Sequence, residues 1–388
     1  MVEVMRPHHS AKVLVFLGAG ASRFAEYYTF ADFPELLFNT ELRNKERLPP
    51  LSQNSERILG AVRESLLRNN IPTTHDNFLW RLEGYNSFLR LNSRDDVLQD
   101  FLQGNNRLYD LSICTEQAIR QISATTIHHY SANRVEIAKI SNPTVYRRMQ
   151  DVFGLYYELA CLNGTPPFLP IFTTNYDMLL EDLTAEFSDA ATTAVRLVSG
   201  IPEASELSVW SSKLYESANG LAPALHLNRL HGCACWFYHD QGDGNIYFHR
   251  KGAASLSADK LCAMYPGRET QRGCDPHGHA FRKLYASLKK CELLLCIGFS
   301  FRDDDVMHVI LKTLEERPGK FRILIIDALY TQTDVQHRLE DAAKRSQFPY
   351  RVPKANEIES LTLRFGENDS VSHVLDHAKR LLKKRKAP

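Results

Sequence analysis

The most regular feature of the chain is a series of short, almost wholly apolar segments, each followed by glycine or small polar residues. They cover 13–17, 168–172, 293–297 and 321–326. A strand with one solvated face alternates apolar and polar positions, so continuous apolar runs predict strands that are buried on both faces. Segments with helical spacing lie between them. The pattern predicts an α/β fold, a Rossmann-like parallel sheet with helices on both faces.

A different pattern fills 46–167. Apolar positions recur there every three or four residues between charged ones, clearly so over 55–67 and 145–159. This spacing predicts a mostly helical insertion. It would divide the main domain into two parts, 1–45 and 168–388.

Within the second part we expect a smaller insertion over 233–290. Two aromatic-rich segments, 236–238 and 246–249, flank the glycine-containing stretch 241–244. That arrangement predicts a β-hairpin. A basic helix over 365–388 is expected to end the domain.

Composition narrows the function classes. The 388 residues carry a net charge of +1, which gives no general attraction to nucleic acid or membranes. No apolar run reaches the roughly 18 residues of a membrane-spanning helix. Eight scattered cysteines are typical of reduced thiols, so we expect a cytoplasmic protein.

The loop Gly18-Ala19-Gly20-Ala21-Ser22 follows the first strand. Glycines at a strand-to-helix turn let the backbone approach a phosphate, whose charge the helix N-terminus stabilises. The third glycine of the dinucleotide fingerprint is absent, since Arg23 occupies its place, and there is no P-loop lysine. The loop alone therefore predicts either a phosphate site or merely a tight turn.

Three further motifs follow apolar strands. They are Thr174-Asn175-Tyr176-Asp177, Leu230-His231-Gly232 and Gly298-Phe299-Ser300, the last leading into Asp303-Asp304-Asp305. Ligands of parallel sheets bind at the carboxyl ends of the strands, so these motifs are expected at one site. Each also has a structural interpretation. Asn175 could cap a helix, His231 could be a hydrogen-bonded structural residue, and the three aspartates could interact with a helix dipole.

Together and in this order, the four motifs resemble those of sirtuin-like proteins, and specifically the bacterial anti-phage defence branch of that family. The resemblance covers 11–45 and 168–330. It implies that NAD is the substrate and lies across the strand ends. By the same resemblance, Asn175 contacts the nicotinamide ribose, Asp177 holds the carboxamide of nicotinamide, and His231 acts as general base. The implied cofactor-binding residues are Gly18, Ala19, Gly20, Ser22, Thr174, Gly298, Ser300 and Asp327.

The chain departs from the protein deacylases of this family. Those enzymes carry two Cys-x-x-Cys pairs on a zinc module, whereas here Cys233, Cys235, Cys262 and Cys274 are irregularly spaced. We expect no metal, although zinc at these cysteines remains an alternative. Without the module, the groove for an acetyl-lysine peptide is not expected, and water becomes the expected acceptor.

The leading hypothesis is an NAD glycohydrolase of bacterial antiviral defence that releases nicotinamide and ADP-ribose. The resemblance implies a large homo-oligomeric ring and a HerA-type translocase ATPase as partner, with nucleic acid contacted only through that complex and no membrane contact. One alternative is a subunit that senses NAD or ADP-ribose without turnover. A nuclease subunit of a defence complex and a protein deacylase are the others.

Overall fold

The structure is a computed structural model. It describes residues 11–29, 32–48, 50–92, 107–188, 194–202, 207–216, 222–238, 246–249, 261–263, 275–345, 350–351, 353–367 and 369–383.

A parallel sheet organises the described part of the chain, and it confirms the predicted Rossmann-like fold class. Its strands are β1 (Val13–Leu17), β2 (Phe168–Thr173), β3 (Arg196–Val198), β5 (Ala224–Arg229), β9 (Leu293–Ile297), β10 (Arg322–Asp327) and β11 (Ile358–Thr362). They lie in the order β11-β10-β9-β1-β2-β5-β3, and every pairing is parallel. β1 has β2 on one side and the much later β9 on the other. This change of direction at β1 is the switch point at which such sheets bind ligands.

A second, antiparallel sheet contains the predicted hairpin. Its strands are β4 (Leu207–Val209), β6 (Gly232–Tyr238), β7 (Ile246–His249) and β8 (Leu261–Ala263), in the order β4-β7-β6-β8. The hairpin strands β6 and β7 pair with Trp236 opposite Phe248 and Phe237 opposite Tyr247. The turn predicted over 241–244 lies outside the described residues.

Helices connect and cover the strands. In chain order they are α1 (Phe33–Phe38), α2 (Thr40–Lys45), α3 (Gln53–Arg68), α4 (His75–Asn92), α5 (Arg107–Tyr130), α6 (Arg134–Ser141), α7 (Pro143–Leu162), α8 (Leu179–Phe187), α9 (Lys213–Glu216), α10 (His277–Leu288), α11 (Asp304–Glu316), α12 (Gln332–Arg345) and α13 (Ser370–Lys383). Two of them, α3 and α7, cover the segments in which helical spacing is clearest. None of the described helices is long and apolar enough to cross a membrane.

The apolar strands are buried on both faces, as their sequence predicts. In β1, Val13 and Val15 belong to the core on one face, which α7, α8 and α13 complete. Leu14 and Phe16 belong to the core on the other face, beneath α10, α11 and α12. Alternate side chains of a strand point to opposite faces, so an unbroken apolar run fills both cores.

The helical stretch contributes in two ways. Helices α1, α3, α4 and α5 share a separate core that includes Leu36, Leu59 and Phe78. Helix α7, by contrast, packs on the parallel sheet through residues such as Val152 and Leu159. The predicted domain boundaries stay a prediction.

The segment after the glycine loop differs from the predicted helix. Ala19–Ala25 forms a seven-residue 3₁₀ helix, and Glu26 ends it with a φ of 64° in the left-handed region. A 3₁₀ turn has poorer hydrogen-bond geometry than an α-helix, and so short a segment provides little helix dipole. The predicted helix is thus a 3₁₀ helix, and the stabilisation of a phosphate at its N-terminus stays a prediction.

Candidate active site

Strand register brings the sequence motifs to one edge of the sheet. Thr173 of β2 pairs with Leu17 of β1 and with Arg229 of β5. Leu17 also pairs with Ile297 of β9. Asn175 and His231 each follow a paired position by two residues, on strands about 4.8 Å apart. The loops that begin at Gly18, Thr174, Leu230 and Gly298 therefore leave the sheet side by side.

Glycine is required where two of these loops touch. A Cβ on Gly18 would lie 2.4 Å from the carbonyl oxygen of Gly298, and one on Gly298 would lie 2.2 Å from the backbone nitrogen of Ala21. Gly298 also has a φ of 60°, which favours glycine. The Gly20 amide donates to the Gly298 carbonyl over 3.0 Å. The glycines thus join the two loops into one backbone layer, a role that the sequence interpretation did not include.

Asn175 lies beneath this layer with only 7% of its surface exposed. Its side-chain nitrogen donates to the carbonyl of Gly18 over 2.9 Å and to the hydroxyl of Ser22 over 3.1 Å. Its side-chain oxygen is buried and accepts no hydrogen bond from any residue that the structure describes. Buried acceptors without a donor are rare in folded proteins, because each costs roughly 1–3 kcal/mol. The amide of Asn175 is thus oriented by the glycine loop and still able to accept a hydrogen bond.

The helix-capping interpretation of Asn175 does not fit the structure. Helix α8 begins at Leu179, and no side-chain cap is found at Met178. The backbone nitrogen of Leu179 donates instead to the carboxylate of Asp177 over 3.1 Å. Asp177, not Asn175, interacts with the first turn of α8.

Asp177 is a buried carboxylate. Burial raises its pKa, while the charge of Arg229 and a hydrogen bond from Ser22 act in the opposite direction. Ser22 therefore links the Asn175 amide to the Asp177 carboxyl. A cavity of about 20 Å³ lies against Ser22, Asn175, Asp177 and Arg229 and has room for about one water molecule.

Arg229, the last residue of β5, is a site residue that the sequence analysis missed. Its guanidinium donates to the backbone carbonyl of Asn175 over 2.9 Å and to that of Asp177 over 2.8 Å. It also contacts both carboxylate oxygens of Glu181, at 2.8 and 2.7 Å. Burial alone would lower the pKa of Arg229, but Glu181 raises it, so the guanidinium stays charged. An arginine two residues before His231, at the end of a short strand, is the one signal that could have found it.

His231 has a carboxylate beside it. Its Nε2 lies 2.7 Å from the Oδ2 of Asp303, and both side chains are mostly buried, with 20% and 15% of their surfaces exposed. Asp303 also caps α11, because its Oδ1 accepts hydrogen bonds from the backbone nitrogens of Asp305 and Val306. The interpretation of the three aspartates as partners of a helix terminus holds for Asp303, which in addition contacts the predicted general base.

The remaining predicted residues lie along the same edge of the sheet. Thr174 directly follows β2, and its backbone amide donates a hydrogen bond to the carbonyl of Leu17. The carbonyl of Ser300 accepts a hydrogen bond from Arg338 over 3.2 Å. Asp327 ends β10, two strands away from β1. Its carboxylate accepts from the backbone nitrogen of Leu329 over 2.8 Å, and burial raises its pKa. Ligand contacts of these residues stay a prediction.

The cysteines considered for zinc are only partly described. Cys233 and Cys235 are buried on β6, where burial raises the pKa of Cys235. Cys274 and the side chain of Cys262 lie outside the described residues. Among the side chains that are described, no group of three or more His, Cys, Asp or Glu is placed to hold a metal ion.

Comparison with known proteins adds one family match. No similar protein was found among curated protein sequences. The solved structures that resemble the chain include the following three. One is a complex of a mutant Sir2 homologue with ADP-ribose (11% identity, TM-score 0.40, covering 96% of this chain and 94% of that one). Another is described as the structural basis for the mechanism and regulation of Sir2 enzymes (13% identity, TM-score 0.39, covering 96% of this chain and 94% of that one). The third is Sir2 with a p53 peptide and NAD+ (11% identity, TM-score 0.38, covering 96% of this chain and 95% of that one).

At these identities and TM-scores, the structural similarities say nothing about the activity of the chain. The family model described as a SIR2-like domain matches residues 170–348, which include most of β2 and all of β5, β9 and β10. Asn175, Asp177, His231 and Gly298 all fall inside the matched range. Over these residues the chain is similar to the SIR2-like domain.

Proposed function

We propose that the chain is an NAD glycohydrolase that cleaves NAD+ at the carboxyl ends of β1, β2, β5 and β9. The observation that carries the proposal is the amide of Asn175, which is fixed by Gly18 and Ser22 and keeps a buried acceptor oxygen. The ribose hydroxyls and the carboxamide of NAD+ are donors that such an oxygen can accept from. An amide also binds without adding charge.

The reaction requires the bond between C1′ of the ribose and the nicotinamide nitrogen to break. Its electron pair leaves with neutral nicotinamide, and positive charge develops on the ribose. The oxygen of a water molecule then bonds to C1′, and one of its protons is released. NAD+ and water thus give nicotinamide, ADP-ribose and a proton. The carboxylate of the buried Asp177 can accept a hydrogen bond from the carboxamide and hold nicotinamide at the twisted angle that cleavage favours.

His231 is the group proposed to take up the proton. Imidazole accepts a proton near neutral pH, and the neighbouring Asp303 favours the resulting cation. A general base of this kind typically contributes about 10²–10⁴-fold to the rate. Gly18, Ala19, Gly20, Ser22, Thr174, Gly298, Ser300 and Asp327 are proposed to hold the phosphates and riboses.

We further propose that activity is gated by assembly, because free NAD+ hydrolysis would kill the host cell. The motif resemblance supports a homo-oligomeric ring, a HerA-type ATPase partner and a place in bacterial antiviral defence. Coexpression followed by size-exclusion chromatography with light scattering tests the assembly. Separate elution of the two proteins would argue against the ATPase partner.

The activity itself is tested by measuring nicotinamide and ADP-ribose release from NAD+, with and without the partner ATPase. Wild type is compared with His231→Ala and with His373→Ala, a matched histidine on the exposed side of α13. We expect equimolar products from wild type and His373→Ala, and a loss of at least about 100-fold in His231→Ala. Calorimetric binding of NAD+ with no release under either condition would instead support a sensor.

A further inference from the structure

We propose that Asp303 is the positioning residue of the general base, holding the His231 imidazole in one orientation and one protonation pattern. The inference rests on the proposed function and adds a residue to its mechanism. Asp303 would not touch the substrate. It would act through His231 alone.

The two oxygens of Asp303 have separate partners. Oδ1 accepts hydrogen bonds from the backbone amides of Asp305 and Val306 over 3.1 and 3.0 Å, and these bonds fix the carboxylate to the first turn of α11. Oδ2 lies 2.7 Å from Nε2 of His231. An ionised carboxylate can only accept, so in the proposed pair Nε2 carries the hydrogen. The proton taken up during cleavage then goes to the other ring nitrogen, and Asp303 stabilises the imidazolium that forms.

The helix that carries the carboxylate is well packed. Val306, Met307 and Ile310 of α11 are buried in the core between the sheet and helices α10 to α12. His231 is fixed from the opposite direction, because the amide of Leu230 donates to the carbonyl of Thr173 over 2.9 Å. Neither member of the pair can shift far without disturbing the sheet or the helix. A carboxylate fixed in this way orients its histidine, as in other carboxylate–histidine pairs.

On the side of α10, the titratable group that acts on His231 is His277. Its Nδ1 hydrogen-bonds the carbonyl of Leu230 over 2.9 Å, and burial lowers its pKa to about 4. His277 is therefore neutral at neutral pH and does not oppose a charge on His231. Asp303 is the charged neighbour whose removal should change the titration of His231.

Two substitutions separate positioning from helix capping. Asn and Ser are both good N-caps, so Asp303→Asn and Asp303→Ser keep α11 capped while removing the charge. Asp304→Asn is the matched control, since Asp304 is an exposed acid in the same helical turn. Thermal unfolding of each variant checks that the fold is retained.

The first readout is nicotinamide release. In both Asp303 variants we expect kcat to fall by about 10- to 100-fold, a part of what a general base contributes, with little change in KM. The acid limb of the kcat/KM profile should move to lower pH, because the base loses the charge that favours its protonated form. Asp304→Asn should behave as wild type.

The second readout needs no activity. The ring signal of His231, assigned with the His231→Gln variant, is titrated by NMR in ¹³C-histidine-labelled protein. Its midpoint should fall by about one pH unit in Asp303→Asn and stay in place in Asp304→Asn. An unchanged midpoint would overturn the pairing, and a shifted midpoint with wild-type kcat would overturn the positioning role. If wild type releases no nicotinamide in any condition, the proposed function fails, while the titration still decides the pairing.

Discussion

The guanidinium of Arg229 donates a hydrogen bond of 2.9 Å to the backbone carbonyl of Asn175. The two residues belong to neighbouring strands, since Arg229 ends β5 and Asn175 follows β2. Through its further bonds to the carbonyl of Asp177 and the carboxylate of Glu181, the arginine fixes the turn that carries Asn175 and Asp177. A charged clamp inside the sheet edge thus sets the geometry of the candidate site.

Removing this clamp should destabilise the protein strongly. Arg229→Met leaves the carboxylate of Glu181 without its cation and two backbone carbonyls without donors, so we expect a loss of about 3–5 kcal/mol in the free energy of unfolding. The double variant Arg229→Met/Glu181→Met removes both charges and should recover part of that loss. Urea denaturation of the three proteins measures the difference. Equal losses in the single and double variants would speak against an energetically coupled pair.

Gly298 should tolerate alanine much less well than Gly319. Both have positive φ, 60° and 68°. A Cβ at Gly319 has no heavy atom within 4 Å, whereas one at Gly298 would lie 2.2 Å from the nitrogen of Ala21. Gly319→Ala should cost only about 1–2 kcal/mol of backbone strain, and Gly298→Ala about 1–3 kcal/mol more from overpacking. Unfolding free energies that are equal in the two variants would refute the close packing of the two loops.

Acid should weaken the contact between α5 and Tyr28, which follows the 3₁₀ helix Ala19–Ala25. The imidazole of His129 in α5 accepts a hydrogen bond from the backbone amide of Tyr28 over 3.1 Å. Its other ring nitrogen faces the carboxylate of Glu46, which also accepts a hydrogen bond of 2.5 Å from Arg134. Burial would raise the pKa of Glu46, but the hydrogen bonds of His129 and Arg134 outweigh it and lower the pKa from 4.5 to about 2. Burial lowers the pKa of His129 below its ordinary 6.5.

The sign of the pH dependence is the same for both groups. Each binds protons more weakly in the folded state than in the unfolded state, so stability falls as pH falls. The contribution of His129 is present above pH 6.5 and declines below it. That of Glu46 is present above pH 4.5 and is lost as the pH falls to about 2. Chemical denaturation across this range should show a shallower decline below pH 4.5 in Glu46→Gln. A decline as steep as that of wild type would contradict the assignment.

The sheet was predictable from the sequence because burial on both faces leaves a direct signature. Every residue of β1 is apolar, and alternate side chains enter two different cores. The 3₁₀ helix at Ala19–Ala25 was not predictable in this way. Local patterns do not distinguish it from an α-helix, and its form depends on packing against the loop of Gly298.

The same contrast applies to the site. Asn175 and His231 could be predicted because each follows a short strand, and strand ends of a parallel sheet meet. Arg229 and Asp303 could not be assigned their partners, because those contacts join residues 54 and 72 positions apart. Such contacts depend on the order of strands in the sheet, which periodicity along the chain does not encode.

The central claim is that Asn175 belongs to an NAD+-cleaving site, and the rate of nicotinamide release by Asn175→Ala tests it most directly. The assay uses saturating NAD+ under the condition in which wild type is active, with Asn69→Ala, an exposed asparagine after α3, as matched control. We predict a loss of about 100-fold or more in Asn175→Ala and none in Asn69→Ala. Release by folded Asn175→Ala at the wild-type rate would contradict the account.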